Sequence, residues 1–445
     1  MNLDIFNKEF ARFKKINNLV NNYFASFGVN KKQELIRLIF EISKKEEIPP
    51  LKLIKELPQV SFDCLKDYLI KRRFPIASLE NQTQRVYLPK IRLNKDSLFK
   101  LDKKDFYPKT IIIEKDAYTS SLTQRFIKAF PKAKRILIES LKSYLRCRLP
   151  FTIKDYNRRK DVIFIINEKA DFFKRCPCTK KAISCGYHIF NLSFGCIFEC
   201  TYCYLQGYTN SPGIIFSSNL DRFFDLFNAY KKPKMRIGSG EFTDSLMLDH
   251  ITEYSLEIID FFRKYPDARF EFKTKSKNIE NLLKAKHKGN IVVSWTLSPE
   301  RIIKENEFFT ARLSERVISI ERCIQAGYKI GLHFDPVIYF DGWRKEYSNL
   351  IEMLFRKIKP KDIAWISIGT LRFNPRLKPI IEARFPHNKI LDQELIYGFD
   401  NKLRYPSKIR QQIYSYMTRI IYKYSRRIFL YLCMEEQRIW KTIFR

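Results

Sequence analysis

The chain has 445 residues, enough for two or three domains, and its 45% hydrophobic and 15% aromatic content is typical of a packed globular protein. Its 83 Lys and Arg against 48 Asp and Glu give a formal charge of +35. A surplus of this size favours a polyanionic partner. The alternative cause of the surplus is an AT-rich genome, which enriches Lys and depletes Gly in any protein. No apolar run reaches the ~18 residues of a membrane span, and ten cysteines behind a start without a secretory signal predict a cytoplasmic protein without a membrane partner.

The first segment, residues 1–104, is predicted to be a helical accessory region. Apolar residues recur there at spacings of three and four, from Phe6 to Val20 and again from Leu35 to Ile42. This spacing places them on one face of a helix.

The next segment, 105–180, is predicted to be a small α/β domain. Short apolar runs at 111–113, 136–138 and 162–166 have the length of strands, and an amphipathic stretch at 120–130 separates the first two. Strand, helix and strand in this order favour an α/β unit.

Strand-length and helix-length segments alternate through the third segment, 181–380. The candidate strands are 187–194, 234–238, 268–273, 291–297, 328–334 and 363–369. The candidate helices between them are 219–230, 246–264, 278–288, 313–327 and 347–357. About six such units predict an α/β fold with a parallel sheet, a partial TIM-type (β/α)6 barrel whose chemistry lies at the carboxyl ends of its strands.

The last segment, 381–445, is predicted to be a basic, aromatic-rich region that completes the barrel or a substrate groove. Residues 401–445 hold eleven Lys or Arg against two acids, interleaved with rings such as Tyr414, Tyr416 and Phe429. Cations that meet phosphates and rings that stack on bases are what a nucleic-acid groove uses. The alternative is an amphipathic helix whose rings lie in the core and whose basic residues lie in solvent.

Three cysteines directly after the first candidate barrel strand carry the strongest chemical signal. Cys196, Cys200 and Cys203 are spaced C-x3-C-x2-C, so one tight loop can place three thiolates on three irons of a [4Fe–4S] cluster. The fourth iron stays open to chelate S-adenosylmethionine (SAM) and cleave it reductively to a 5′-deoxyadenosyl radical, chemistry that belongs to the cofactor. Such an enzyme needs a reductant such as flavodoxin or ferredoxin. A structural zinc site is the alternative, but zinc favours four closed ligands, and no fourth Cys or His follows at short spacing.

A second cysteine group lies upstream of that strand. Cys176, Cys178 and Cys185 are spaced C-x-C-x6-C. They could hold another metal with His188 or Cys147 as the fourth ligand. Reduced thiols in a loop near the cluster are the favoured interpretation.

The cluster motif and its surroundings resemble the spore photoproduct lyase branch of the radical SAM superfamily. The motif itself reads CTYCYLQ at 200–206, and the other similar segments are 111–140, 169–187, 238–246, 272–276, 331–338 and 366–375. The resemblance covers roughly residues 105–445. It implies a lyase that repairs DNA, since spore photoproduct lyase reverses a thymine–thymine adduct and uses SAM as a regenerated catalyst.

The resemblance also implies which residues hold SAM. Thr243 and Asp244 would meet its amino group, and Lys275 and Thr296 would meet its carboxylate. An anion facing an ammonium and a cation facing a carboxylate form charge-assisted hydrogen bonds. All of these residues lie at or just past the ends of candidate strands, where a barrel places its site.

Three further positions concern the radical and its quenching. Tyr202 and Tyr204 match tyrosines that relay the radical in the lyase, with packing beside the cluster as the alternative. The lyase also carries a hydrogen-donating cysteine just upstream of the Thr243–Asp244 position, where this chain has Glu241 and no cysteine. A carboxylate does not donate a hydrogen atom as a thiol does, so the mechanism is expected to depart from that of the lyase at this step.

Together these features predict a radical SAM enzyme, a lyase that acts on DNA or another nucleic acid. A radical SAM enzyme that modifies RNA, a peptide or a small molecule is the first alternative. A metal-stabilised nucleic-acid-binding protein without catalysis is the second, and SAM turnover by the reduced protein separates it from both enzymes.

Overall fold

The computed structural model describes residues 3–101, 105–169, 173–179, 181–208, 210–287 and 289–444. Its helices are α1 (Leu3–Tyr23), α2 (Val29–Lys45), α3 (Pro50–Lys55), α4 (Phe62–Arg73), α5 (Pro75–Leu79), α6 (Ser121–Ala129), α7 (Leu141–Arg146), α8 (Ile153–Asn157), α9 (Leu220–Tyr230), α10 (Asp249–Thr252), α11 (Tyr254–Phe262), α12 (Glu280–Lys284), α13 (Glu300–Asn306), α14 (Leu313–Gln325), α15 (Trp343–Lys357), α16 (Leu377–Arg384), α17 (Ser407–Tyr422) and α18 (Gln437–Ile443). None of the helices in these ranges is both long enough and apolar enough to cross a membrane.

The strands of the same ranges include several of only two or three residues. They are β1 (Thr110–Glu114), β2 (Lys134–Ile138), β3 (Val162–Ile166), β4 (Phe173–Arg175), β5 (Tyr187–Phe190), β6 (Ser193–Phe194), β7 (Glu199–Cys200), β8 (Ile214–Ser217), β9 (Arg236–Gly238), β10 (Arg269–Thr274), β11 (Ile291–Thr296), β12 (Glu307–Phe308), β13 (Lys329–Val337), β14 (Ile363–Thr370), β15 (Arg372–Phe373), β16 (Ile396–Tyr397), β17 (Leu403–Arg404) and β18 (Leu430–Leu432).

The described residues group into two compact units. The helical unit takes its residues from 1–103, 338–341 and 370–413, and the barrel unit takes its residues from 104–337, 342–369 and 414–445. The predicted C-terminal segment therefore contributes to both units. The predicted division into four consecutive segments stays a prediction.

In the helical unit, α1 to α5 pack their apolar faces against one another, because residues three and four apart lie on one side of a helix. Leu35, Leu38 and Ile39 of α2 are fully buried, as are Leu65 and Leu69 of α4. Helix–helix packing is thus the source of the core in this unit.

A buried ion network ties α2 to α16 within the helical unit. The carboxylate of Glu41 accepts hydrogen bonds from Lys378 at 2.7 Å and from Arg73 at 2.9 Å. Arg37 in turn donates to Glu382 at 2.6 Å. Burial alone would raise the pKa of Glu41, but the charges of Lys378, Arg73 and Arg37 lower it to about 2. The glutamate is therefore ionised in the core.

The main sheet of the barrel unit has the strand order β18-β14-β13-β11-β10-β9-β5-β4. From β5 through β9, β10 and β11 to β13 the paired strands run parallel, β14 runs parallel to β18, and β4 runs antiparallel to β5. β11 is buried along its whole length, as expected of a strand covered on both faces. All six predicted barrel strands are present, which confirms the predicted partial barrel.

A smaller sheet of the same unit has the order β2-β1-β3-β8-β6. β1, β2, β3 and β8 run parallel, whereas β6 runs antiparallel to β8. The sequence predicts β1, β2 and β3 but not β8. The predicted strand 187–194 is divided in the structure into β5, which belongs to the main sheet, and β6, which belongs to this smaller sheet. β6 and β8 flank the cluster motif. The cysteine loop therefore begins and ends on this sheet.

Candidate active site

The loop between β6 and β8 carries the C-x3-C-x2-C motif. Gly195 opens the loop with a φ of +95°, a conformation that favours glycine and turns the chain directly after β6. Cys200 lies in β7, which pairs with β12 so that Cys200 is opposite Glu307. The N–H of Cys203 donates to the carbonyl of Cys200 at 3.0 Å. The three cysteines thus lie in one compact loop.

Arg159, only 2% exposed, fixes the backbone of this loop. Its Nε donates to the carbonyl of Cys196 at 3.1 Å, and its Nη2 donates to the carbonyl of Phe198 at 2.8 Å. Its Nη1 forms an ion pair with Glu199 at 2.8 Å. Arg159 could not be predicted from the sequence, because an arginine outside the motif carries no spacing signal.

Burial keeps the thiols of the loop protonated. Burial raises the pKa of Cys196 to about 12, with a further rise from the charge of Asp244. Burial likewise raises the pKa of Cys200 and of Cys203, and in both cases Lys275 opposes the rise. Metal binding therefore releases protons from these thiols.

The residues present fit a [4Fe–4S] cluster with one open iron. Three half-buried thiols share one loop, and Lys275 and Arg159 lie close enough to balance thiolate charge. No three Cys, His, Asp or Glu side chains of the described ranges are already spaced as metal ligands. Cluster binding would therefore require the three thiols to rotate about their Cα–Cβ bonds.

Asp244, a predicted SAM residue, follows β9 and is anchored in the site. Its carboxylate accepts hydrogen bonds from the hydroxyl of Thr274 at 2.6 Å, from the backbone N–H of Lys275 at 2.6 Å and from that of Leu246 at 3.0 Å. Burial raises the pKa of Asp244, and these hydrogen bonds oppose the rise. Asp244 is thus fixed in orientation at the ends of β9 and β10.

Met247 connects Thr243 to the cysteine loop. The Thr243 hydroxyl lies 3.7 Å from the sulfur of Met247, and the backbone N–H of Ile197 donates to the same sulfur at 3.4 Å. Ile197 directly follows Cys196. The structure therefore brings Thr243 beside the first cysteine of the motif.

Glu307 organises the other side of the loop, opposite Cys200. It accepts hydrogen bonds from Arg316 at 2.7 Å and from the Tyr202 hydroxyl, and the Lys275 ammonium lies 5.8 Å from the centre of the Tyr202 ring. Burial would raise the pKa of Glu307, but Arg316 and Lys275 lower it. Burial would lower the pKa of Lys275, but Cys200 and Glu307 raise it. Glu307 and Lys275 are therefore both charged. Neither Glu307 nor Arg316 was among the residues predicted from the sequence.

Thr296 ends β11 and is largely buried. Its carbonyl accepts a hydrogen bond from Arg316 at 2.8 Å, so one arginine holds both Thr296 and Glu307. β10 and β11 are paired neighbours, and Lys275 comes directly after β10. Lys275 and Thr296 therefore lie at the carboxyl ends of adjacent strands.

Tyr204 and Glu241 are in contact with each other. The Tyr204 hydroxyl donates to the backbone carbonyl of Glu241, and the Tyr204 ring is 39% exposed. The Glu241 carboxylate lies 3.4 Å from the Lys174 ammonium. Burial raises the pKa of Glu241, and Lys174 opposes the rise. Tyr202 thus belongs to a buried ion network, whereas Tyr204 contacts Glu241.

Comparison with known proteins identifies this arrangement. The spore photoproduct lyase family model matches residues 106–426, most of the chain. The chain belongs to the spore photoproduct lyase family. It is therefore a radical SAM lyase with SAM and a [4Fe–4S] cluster as cofactors. This confirms the predicted enzyme class and cofactors. It argues against the alternative of a nucleic-acid-binding protein without catalysis.

Individual relatives are of moderate identity. The spore photoproduct lyase of Geobacillus sp. (strain Y412MC61) is 27% identical over 298 residues, 64% of this chain and 85% of that protein. The one from Bacillus subtilis (strain 168) is 27% identical over 252 residues, 54% of this chain and 71% of that protein.

Solved structures of spore photoproduct lyase share the fold. One complexed with dinucleoside spore photoproduct has a TM-score of 0.64 at 23% identity, covering 74% of this chain and 100% of that one. A mutant with bound AdoMet and dinucleoside spore photoproduct has a TM-score of 0.62 at 22% identity, covering 75% and 100%.

Proposed function

We propose that this enzyme cleaves SAM reductively and directs the resulting radical at a damaged base in nucleic acid. When bound on Cys196, Cys200 and Cys203, the [4Fe–4S] cluster supplies the electron that releases a 5′-deoxyadenosyl radical from SAM. The observation that carries the proposal is the convergence of these three half-buried thiols with Asp244 and Lys275 at the carboxyl ends of the barrel strands. Relatives named for their complexes with dinucleoside spore photoproduct support DNA as the substrate class.

The chain's own residues orient SAM in this proposal. Asp244 faces the ammonium group of SAM together with Thr243, and its own hydrogen bonds to Thr274 and Lys275 keep the carboxylate in place. The Lys275 ammonium, kept charged by Cys200 and Glu307, faces the SAM carboxylate beside Thr296. Opposite charges in a buried site give strong, directional hydrogen bonds.

The hydrogen atom that ends the reaction comes from a group other than a cysteine next to Thr243. Glu241 occupies that place, and its carboxylate pairs with Lys174. The Tyr204 hydroxyl is bonded at the same position, whereas the Tyr202 hydroxyl donates into the Glu307 network. Of the two tyrosines, Tyr204 is therefore the better placed donor; 5′-deoxyadenosine and an outside reductant are the other candidates. If 5′-deoxyadenosine returns the hydrogen atom, SAM is regenerated, whereas an external quench consumes SAM. Between these two outcomes we favour consumption of SAM.

A radical SAM enzyme that modifies RNA, a peptide or a small molecule is the second candidate. The lack of a cysteine in 238–244 favours it, since the thiol quench belongs to repair of the thymine adduct. In either case a low-potential flavodoxin or ferredoxin is the proposed electron donor, and the +35 charge suits a polyanionic substrate.

The test is anaerobic reconstitution with iron and sulfide, followed by reduction in the presence of SAM. We expect about four irons per chain and release of 5′-deoxyadenosine. Cys200→Ala should abolish both, whereas Cys64→Ala, at an exposed cysteine, should change neither. Iron binding without any cleavage of SAM would contradict the proposal. Turnover on irradiated DNA, compared with RNA and peptide, then separates the two substrate candidates.

A further inference from the structure

Four cysteines outside the cluster loop come together where the two edges of the main sheet meet. The loop between β4 and β5 carries Cys176, Cys178 and Cys185, and Cys433 directly follows β18. β4 and β18 are the opposite edges of that sheet. We call this meeting place the seam.

Backbone contacts hold the seam together. Ala182 of the β4–β5 loop forms an antiparallel bridge with Glu436. The N–H of Ile183 donates to the carbonyl of Glu435 at 3.1 Å. The loop at one edge of the sheet is therefore joined to the chain just after Cys433 at the other edge.

The four thiols are near neighbours at the seam. The sulfur atoms of Cys176 and Cys178 lie 3.9 Å apart. Cys433 and Cys185 also lie close enough to Cys176 to interact with it electrostatically. Cys185 packs against a buried cluster that contains Tyr431, two residues before Cys433. All four cysteines are half-buried thiols rather than disulfides.

The spacing favours one tetrahedral ion over a second cubane. Four sulfurs at about 2.3 Å from a tetrahedral zinc lie about 3.8 Å from each other, close to the separation of Cys176 and Cys178. In a cubane each cysteine binds a different iron, which places the sulfurs farther apart. Four thiolates without an open position are typical of a structural zinc site.

We propose that Cys176, Cys178, Cys185 and Cys433 bind one Zn²⁺ that fastens the two edges of the barrel sheet. Binding displaces one proton from each thiol and changes no oxidation state. As in the cluster loop, the described thiols are not already spaced as metal ligands, so binding requires their side chains to rotate. The ion would cross-link residues more than 240 positions apart in the chain, 185 and 433, and so hold the two edges of the partial barrel together.

Cys433 replaces the fourth ligands suggested by the sequence. His188 lies in β5 next to Tyr187, and successive side chains of a strand point to opposite faces. The His188 ring stacks on Phe173 with 5.4 Å between centres, whereas Tyr187 lies beside Arg236. Cys147 is exposed just after α7.

Metal analysis of the full chain tests the proposal. Anaerobically purified and reconstituted protein should contain about one zinc per chain in addition to its cluster iron. Cys185→Ser and Cys433→Ser should each lose the zinc and keep the iron, whereas Cys196→Ala should lose the iron and keep the zinc. Cys64→Ser and Cys147→Ser, at exposed cysteines, serve as matched controls that keep both metals.

A second measurement avoids variants that fail to fold. Wild-type protein stripped of zinc should bind one Co²⁺ with the charge-transfer absorption of a tetrathiolate. Zinc should then protect the same four cysteines together from alkylation, as read by peptide mass spectrometry. The proposal is overturned if the stripped protein takes up neither ion, if protection omits Cys433, or if Cys433→Ser loses iron instead of zinc, which would indicate a second iron–sulfur cluster.

Discussion

The helical unit and the barrel unit each bury a glutamate among cations, but they use the charge differently. In the helical unit Glu41 has three cationic neighbours, Lys378, Arg73 and Arg37. All of them lie in the same unit, and the carboxylate is 8% exposed. This network joins helices to one another.

In the barrel unit Glu307 has one arginine partner, Arg316, and a tyrosine partner, Tyr202. Its third neighbour, Lys275, also acts on Cys200 of the cluster loop. A buried carboxylate is therefore weak grounds for assigning a function by itself. What distinguishes Glu307 from Glu41 is that its neighbours belong to the site.

The largest expected effect is on the stability of the helical unit. Glu41→Gln leaves Lys378, Arg73 and Arg37 without their shared counter-charge, so we expect a loss of about 3–5 kcal/mol in the free energy of unfolding. Urea denaturation measures it. The matched control is Glu47→Gln, since Glu47 pairs with Lys389 at the surface and should lose less than about 1 kcal/mol.

The pH dependence sharpens the same prediction. Because the pKa of Glu41 is lowered to about 2 from an ordinary 4.5, its contribution to stability is complete above about pH 4.5 and declines as the pH falls toward 2. Wild-type protein should therefore lose stability between pH 5 and 3 more steeply than Glu41→Gln. If the free energies of unfolding of the two proteins depend on pH in parallel, the charge of Glu41 does not stabilise the packing of the helices.

The second effect is on catalysis in the barrel unit. Glu307→Gln keeps the size of the side chain but removes the charge that holds Arg316 and supports Lys275. We expect SAM cleavage to fall about 10- to 100-fold, as for partners of metal-site residues, with iron content retained. SAM cleavage by folded Glu41→Gln should stay at the wild-type rate, and equal losses in the two variants would break the comparison.

The barrel and the cysteine motif could be read from the sequence because both signals are local. Four of the six residues of β11 are apolar, and the three cysteines lie within eight residues of each other. Short strands such as β6, β7 and β18 have too few residues to show a period. β18 was therefore missed, although it forms one edge of the main sheet.

The supporting residues of the site could not be predicted, because their partners are distant in sequence. Arg159 binds the loop from 37 residues away, and Tyr202 and Glu307 are 105 residues apart. In the tail, Tyr414 is fully buried and Tyr416 bonds to Ser348 at 2.6 Å. These two rings follow the amphipathic-helix alternative rather than the stacking one.

The third effect concerns Glu241, a half-buried carboxylate with one lysine partner. Glu241→Cys places a thiol where the resemblance to the lyase implies a hydrogen-donating cysteine. If that positional match is right, the ratio of product to cleaved SAM on a thymine-adduct substrate should rise. Chromatography of product and 5′-deoxyadenosine measures this ratio, and Glu241→Ser is the matched control without a thiol. Loss of all SAM cleavage in Glu241→Cys would instead assign Glu241 to the SAM pocket.

The smallest expected effect is on DNA affinity and concerns two cations outside the buried networks of Glu41 and Glu307. Arg426 and Arg427 are exposed on the barrel unit after α17, so neither network holds them, and solvent screens their charge. If they contact phosphates, each contact releases a counterion, and the double charge reversal to Glu should flatten the slope of log K against log salt by about two for DNA. Reversing Lys231 and Lys232, exposed after α9, makes the same change in net charge at another place. If the slope of log K against log salt flattens equally in both double variants, the DNA affinity depends on total charge rather than on Arg426 and Arg427. If the slope does not change, the excess of basic residues is explained by coding bias and not by DNA binding.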